Sequence, residues 1–547
     1  MATLEDGLTD ELDVVVVGAG FGGLYAAYRL RESGRSFRVF EQAPDIGGTW
    51  YWNRYPGARC DIESLQYSYS FSDELQQEWE WSERFAAQPE ILRYINHVAD
   101  RFDLRPGIQL ETRVTAIEWD EASRTWTVST DRGDRVRAKW VLTAVGNLST
   151  PKRPDIAGID SFQGESYFTN RWPHEEPDLT GKRVAVIGTG SSGIQSTPIF
   201  ARVASDVTVY QRTPAFTMPA MNRVLDPDEV REYKAHYAEY RDFARRSRSG
   251  TLITRNPEPA LSVDEAERQR RFQECWDAGS FGCALASFAD ITTDLEANRQ
   301  MVEFARRKVR ETVQDPEVAA TLSSWDYPFG SRRVCLDTDF YATFNLPHVH
   351  LVDVRKDPIV EITPRGIRTA SGEREFDVIV YATGFDAFTG SLFRLGITGR
   401  DGLTLEDAWA EGPQTYLGLQ TTGFPNLFIV VGPQSPSLVV NIVPAVEQHV
   451  DWIVRALDDA EADGIDTIEA DPAAQAAWVA HANELAAATL YPVADSYMTN
   501  VNIPGKPRVF MPYLGGFGPY GERLEAVAAN GYEGFVRSRS PELAEQR

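Results

Sequence analysis

The sequence predicts an α/β protein made of two Rossmann-like dinucleotide-binding domains, with a helical insertion in the second. Three observations predict it. A β-branched run, Val14 to Val17, leads into Gly18-Ala19-Gly20-Phe21-Gly22-Gly23. A second apolar run, Val184 to Ile187, leads into Gly188-Thr189-Gly190-Ser191-Ser192-Gly193, about 170 residues later. Beyond the second unit, residues 225–322 turn into long charged stretches with helical periodicity.

Each element has its reason. Val14 to Val17 reads as a parallel strand buried on both faces, because nothing in it is polar. Leu24 to Glu32 is the helix that follows, and Arg38-Val39-Phe40-Glu41 is the next strand, ending in an acid. The second unit repeats this plan, with a helix over Ile194 to Val203 and a strand over Val207 to Tyr210. In the insertion, Asp226-Pro227 and Asp315-Pro316 put a capping acid before a proline at the first helical position. Ser262-Val263-Asp264-Glu265 and Thr293-Asp294-Leu295-Glu296 fit the capping box. Asp377 to Tyr381 is a further buried strand. The expected division is a first dinucleotide-binding domain over 1–148 and 386–547, a second over 149–224 and 329–385, and the insertion over 225–328.

Composition narrows the class. The 547 residues hold 55 Lys plus Arg against 80 Asp plus Glu, a formal charge of −25. Nucleic acid and anionic membrane both need a basic face, so neither is an expected partner. Such a charge fits a monomer or weak homo-oligomer. The start is acidic and polar, unlike a secretory signal, and no apolar run approaches a membrane span. The four cysteines, Cys60, Cys275, Cys283 and Cys335, form no C-x-x-C pair, which disfavours a redox dithiol or zinc knuckle and suits a reducing cytoplasm. His174 and His449 lack metal-ligand spacing and read as structural; no metal site is expected. Arg245-Arg246-Ser247-Arg248 reads as a solvated helix end.

The glycines carry the first chemistry. Gly18, Gly20 and Gly23 let backbone approach a pyrophosphate at a helix N-terminus, and Glu41 can accept from a ribose hydroxyl. At the matching place the second unit has Gln211-Arg212-Thr213 and no acid. An acid there would repel a 2′-phosphate, whereas Arg212 with Thr213 suits one. The first site is therefore assigned to FAD and the second to NADPH. Two such sites imply hydride transfer from NADPH to flavin.

A longer set of motifs then carries a resemblance. Phe162 to Pro173 is similar to F-x-G-x-x-x-H-x-x-x-W-P, the fingerprint of the type I Baeyer–Villiger monooxygenases, and it precedes the second glycine turn as it does there. Gly47 to Asp61, Tyr381 to Asp386 and Ile503 to Arg508 also resemble that family, most of all its phenylacetone and steroid monooxygenase branch. The resemblance runs over residues 10–538. It implies that NADPH reduces FAD, that O2 adds to the flavin, and that the peroxyflavin anion attacks a ketone, giving an ester or lactone while NADP+ stays bound. It implies that Arg333 stabilises the anions, that Asp61 pairs with Arg333 and tunes it, and that Arg332 meets the 2′-phosphate. It places Thr49, Trp50, Tyr51, Trp52, Arg59, Tyr67 and Val114 near flavin. It implies that Thr189, Gly190, Ser191, Ser192, Gly193 and Gln195 form the NADP pyrophosphate loop. The resemblance also implies that Tyr497 stands by the nicotinamide ribose and that Ser437, Leu438, Val439 and Val440 shape a ketone pocket.

Two departures stand out: Phe168 occupies the fingerprint histidine position, and Tyr497 occupies one where relatives commonly carry tryptophan. Phenylalanine neither bonds nor titrates, so rate or coupling is expected to change. The alternatives are a flavin N- or S-oxygenase of amines or sulfides, a largely uncoupled NADPH oxidase, or a non-catalytic flavoprotein.

Overall fold

The computed structural model describes residues 8–539. The acidic start read above lies in part outside them, at residues 1–7. Two sheets organise the chain. The larger has eight strands: Asp10–Val17, Phe37–Phe40, Ile108–Gln109, Val114–Asp120, Thr125–Thr130, Arg135–Thr143, Ile397–Thr398 and Leu427–Ile429. The smaller is a fully parallel five-stranded sheet, in the order Val349–Asp353, Asp206–Gln211, Arg183–Ile187, Val378–Tyr381, Glu165–Phe168.

The apolar runs are continuous because each strand serves two cores. Val14 and Val16 enter one hydrophobic cluster, while Val15 and Val17 enter another on the opposite face. Val184 and Val186 divide from Ala185 and Ile187 in the same way. A polar residue at any of these positions would lie in a core. The chain's far end closes the larger sheet: Leu427–Ile429 pairs parallel with Arg135–Thr143. The long helix Ile442–Ala462 packs on the first helix, Phe21–Glu32, where the Tyr25 hydroxyl donates to Asp451 at 2.7 Å.

The insertion contains the helices Pro227–Ala235, Tyr237–Arg246, Glu265–Ala278, Phe281–Ala286, Leu295–Thr312 and Pro316–Leu322. Asp226 and Asp315 cap as expected, each with proline at the first helical position. The two capping-box assignments are corrected. Asp264 and Asp294 are the N-caps, accepting from the Glu267 and Ala297 amides at 2.9 and 2.8 Å. Ser262 instead ends a short 3-10 turn, where its hydroxyl donates to the Pro259 carbonyl. Each helix starts one or two residues later than the box would place it, because the nearer carboxylate is the stronger acceptor for the free amides.

The cysteine reading is also corrected. Cys275 and Cys283 form a disulfide with a Cα–Cα separation of 5.3 Å, and Cys60 and Cys335 are free and buried. The pair is eight residues apart in sequence, a spacing with no local signature, and the turn between two insertion helices brings the thiols together. Among the described residues no group of His, Cys, Asp or Glu is placed to hold a metal, and no helix is long and apolar enough to cross a membrane.

Candidate functional site

Both glycine turns have the geometry that a pyrophosphate needs. Gly18 has φ +100°, and a Cβ there would lie 2.7 Å from the Ala144 carbonyl oxygen. A Cβ on Gly23 would lie 1.7 Å from the Gly18 carbonyl oxygen, so only glycine lets this helix close on its strand. Gly188 and Gly193 repeat the pair: the corresponding contacts are 2.4 Å to Ala382 and 2.1 Å to Gly188. Gly190 borders open space.

The helix starts decide what fits. The insertion helices at Asp226, Asp264, Asp294 and Asp315 each begin on an aspartate that caps their amides. The two glycine-turn helices, Phe21–Glu32 and Ser191–Ala201, have no side-chain cap and no acid in the first turn. Their free amides and dipoles are left for an external anion, so the residues present fit one dinucleotide at each turn. Glu41 is buried at the end of its strand and accepts from the Ala19 and Ala43 amides at 2.8 Å each. It therefore holds the shape of the first turn, and each oxygen keeps a lone pair for a ribose hydroxyl.

The second site collects cations. Arg212 is exposed and has no carboxylate partner among the described residues. Thr213 gives its carbonyl to the Thr189 hydroxyl at 3.1 Å, which ties the glycine turn to the arginine strand end. Lys152, not singled out in the sequence, joins them. Partial burial and then the Arg212 charge hold its ammonium below the ordinary lysine range. Its position after Pro151, in the basic pair Lys152-Arg153, was the available signal. Arg332 lies over the Tyr327 ring at 5.3 Å.

The flavin-side loop docks on the second glycine helix. The Tyr55 hydroxyl donates to Gln195 Oε1 at 2.8 Å, and Gln195 Nε2 donates to the Arg59 carbonyl at 3.2 Å. In the short helix Thr49–Trp52, Trp50 and Tyr51 are buried, and Trp50 Nε1 donates to the Tyr67 hydroxyl at 3.1 Å. Val114 is a core residue packed with Val15 and Phe40. The Arg59 guanidinium pairs with Glu83 and the Phe85 carbonyl. The fingerprint links the two halves. Arg171 stacks on Trp52 at 3.9 Å, Asn170 donates to the Gly384 carbonyl at 3.0 Å, and Trp172 is buried. Phe168 stacks on Tyr381 at 4.7 Å, a packing role.

Arg333 lies where these parts meet. Its Nε and Nη2 donate to the two oxygens of Asp61, both at 2.7 Å, and Nη1 donates to the Leu438 carbonyl at 2.8 Å. The Phe281 ring lies 5.2 Å from the guanidinium. Three bonds and an aromatic wall fix the plane of the cation. Burial works against its charge, but the Asp61 carboxylate more than offsets this and raises its pKa. Burial pushes the Tyr497 phenol up to about 12, so it is a neutral donor at pH 7. Cys60, next to Asp61, is a buried thiol whose pKa burial raises.

Leu438 and Tyr497 cluster with Leu148, Phe388 and Met511, and Val439 joins Tyr497 in an adjoining cluster. Ser437 and Val440 are buried in the same loop. Phe388 holds φ +60°, a left-handed conformation that a bulky residue rarely adopts. Sequence reasoning missed Leu148, Phe281, Phe388 and Met511. His449 is structural, as expected: it is fully buried between the Val431 amide and the Tyr520 hydroxyl. His174 packs on Tyr51, and Arg245, Arg246 and Arg248 are exposed.

The chain is similar to known flavoproteins over nearly its whole length. A family model described as pyridine nucleotide-disulphide oxidoreductase matches residues 15–264. A solved oxidised steroid monooxygenase bound to NADP superposes with a TM-score of 0.93 at 48% identity, covering 97% of this chain and 100% of that one. A Baeyer–Villiger monooxygenase from Pseudooceanicola batsensis is 40% identical over 97% of each chain. A phenazine N-monooxygenase from Lysobacter antibioticus is also 40% identical over 97% of each. Fold and site thus define an FAD- and NADPH-dependent flavoprotein monooxygenase. Within that class, the chain belongs to the Baeyer–Villiger monooxygenase family.

Proposed function

We propose that this protein inserts one oxygen atom beside a ketone carbonyl, giving an ester or lactone, with Arg333 as the catalytic residue and Asp61 as its positioning partner. The observation that carries the reading is the Asp61–Arg333–Leu438 arrangement. Bound FAD, reduced by NADPH, supplies the activated oxygen. The chain's own residues do the rest. A guanidinium locked by three bonds offers a fixed positive charge to an anion and polarises a carbonyl without reorganising. Asp61 keeps that cation in one plane, while Leu148, Phe388, Leu438, Tyr497 and Met511 supply an apolar wall that excludes water.

Arg212, Thr213, Lys152 and Arg332 bind the 2′-phosphate, and the uncapped starts of the two glycine helices bind the pyrophosphates. Glu41 holds the FAD ribose. Strand membership in the two sheets supports a division into FAD-binding segments 1–148 and 386–547 and NADP-binding segments 149–224 and 329–385, with 225–328 inserted. An acidic exterior supports a monomer or weak homo-oligomer in the cytoplasm.

A second reading is favoured by one observation, the similarity to a phenazine N-monooxygenase. Whole-chain likeness therefore does not separate ketone from nitrogen oxidation, and the separation rests on the locked arginine. The test is a panel of phenylacetone, large-ring ketones, steroid ketones and a planar N-heterocycle, read by product mass. Ester from any ketone, with no N-oxide, supports the first reading. N-oxide alone replaces it with the second.

A further inference from the structure

We propose that Cys275 and Cys283 are a reversible dithiol–disulfide site, oxidised by hydroperoxide, that fixes the helix Phe281–Ala286 against the Arg333 segment. Cys275 is 5% exposed on the helix Glu265–Ala278, in the same core cluster as Phe272, so its helix is anchored. Cys283 is partly exposed, on the six-residue helix that follows. Between them the chain reverses at Gly279, φ +64°, where a Cβ would lie 2.6 Å from Met221. The turn therefore brings the two thiols to bridging distance and keeps them there.

The short helix matters because of what it touches. Phe281 forms the aromatic wall of the Arg333 guanidinium. Leu285 lies against Gly330, where a Cβ would come within 2.5 Å of its Cδ2. One side of the helix thus covers the turn that presents Arg332 and Arg333. Only Ala284 in it is fully buried. Phe281, Cys283 and Leu285 pack only partly buried against the core, and six residues so anchored do not hold a helix in place by themselves. The cross-link to the anchored neighbour supplies what packing lacks.

The chemistry balances. The Cys283 thiolate, the more accessible, attacks a peroxide oxygen and breaks the O–O bond, giving a sulfenic acid and hydroxide. The Cys275 sulfur then attacks the Cys283 sulfur and displaces a second hydroxide. The two thiol protons leave with these as two waters, and two electrons pass from the dithiol to the peroxide. Uncoupled turnover supplies the oxidant: NADPH, a proton and O2 yield NADP+ and hydrogen peroxide. The proposal rests on the monooxygenase reading only for that source. A free thiol restores the dithiol by exchange. Leakage of peroxide thus sets the tightness of the wall behind the catalytic arginine.

The test uses the holoenzyme, reduced with a thiol and then treated with graded hydrogen peroxide. Iodoacetamide labelling is read by peptide mass spectrometry, and hydrogen exchange is read over residues 280–286. Expected is joint labelling of Cys275 and Cys283 after reduction and joint loss of label after peroxide. Exchange over 280–286 should slow by about threefold or more on oxidation, and KM for an accepted ketone should change by a similar factor. Cys283→Ser should keep ester formation and lose both redox responses. Two cysteines still labelled after peroxide, or exchange indifferent to redox state, would overturn the proposal. A redox-sensitive exchange in a protein that forms no ester would support the dithiol while removing the ketone reading.

Discussion

Arg333 and Arg212 carry the most specific claims at the scale of single residues, and they differ in how their charge is used. Arg333 is held from three directions, so its charge is spent on geometry: Asp61 fixes the plane and Leu438 fixes the edge. Arg333→Ala should keep bound yellow FAD while ester formation falls by about 10²–10³-fold, the usual loss when one preorganised charge donor is removed. Arg333→Lys should fail nearly as badly, because a lysine cannot meet both Asp61 oxygens in one plane. Product formation by either variant at the parent rate would remove Arg333 from catalysis. Arg212 is exposed beside Lys152 and has no carboxylate partner among the described residues. Arg212→Ala should therefore raise KM for NADPH by roughly tenfold or more and leave KM for NADH nearly unchanged. An unaltered NADPH-to-NADH ratio would place the 2′-phosphate elsewhere.

The elements show why some positions were readable in the sequence and others were not. Glycine turns are local: strand, turn and helix lie within about thirty residues of one another, so Gly18, Gly20 and Gly23, and again Gly188 to Gly193, identify themselves by type and order. Asp61 and Arg333 are 272 residues apart, and only the likeness to a known family joins them before folding does. Leu148, Phe281, Phe388 and Met511 are apolar residues in four separate segments. Nothing in their own neighbourhoods marks them, because their convergence around Arg333 and Leu438 belongs to the tertiary fold. The disulfide is hidden for the same reason. Helix starts fall between these extremes. The S/T-x-x-E pattern at Ser262 was present, yet Asp264, two residues later, won the amides. Asp264→Ala should cost about 1 kcal/mol, or roughly 1–2 °C of melting temperature in a chain this size, whereas Ser262→Ala should stay within about 0.5 kcal/mol. Equal effects of the two would restore the capping box.

For the whole molecule, the net charge of −25 describes the outside. Within that acidic shell lie cations that carboxylates do not all cancel: Arg212 is exposed beside Lys152, and Arg332 directly precedes the Asp61-bound Arg333. This region is kept in register by segments far apart in sequence. Lys506 bonds Asp386, Asn502 donates to the Phe385 carbonyl at 2.8 Å, and Lys152 donates to the Asn502 carbonyl. The closing half of the larger sheet is tied down at His449. Its Nδ1 accepts from the Val431 amide at 3.1 Å, and its Nε2 meets the Tyr520 hydroxyl at 2.8 Å. This links the helix Ile442–Ala462 to the strand end near Val431 and to the C-terminal helix Phe517–Ala529. Burial holds its pKa down to about 3, against 6.5 for an ordinary histidine. The native state refuses a proton that the unfolded chain accepts below 6.5. The contribution to stability is therefore complete above pH 6.5 and is lost as pH falls from there toward 3, on the order of 5 kcal/mol at most. His449→Gln removes the titration and also weakens the contacts, so the variant should be less stable than the parent at pH 7. The gap in urea midpoint should narrow at pH 4.5, because the parent by then has lost about 1.4 kcal/mol for each pH unit below 6.5. A gap of the same size at both pH values would mean that His449 does not set the acid limit of the closing half.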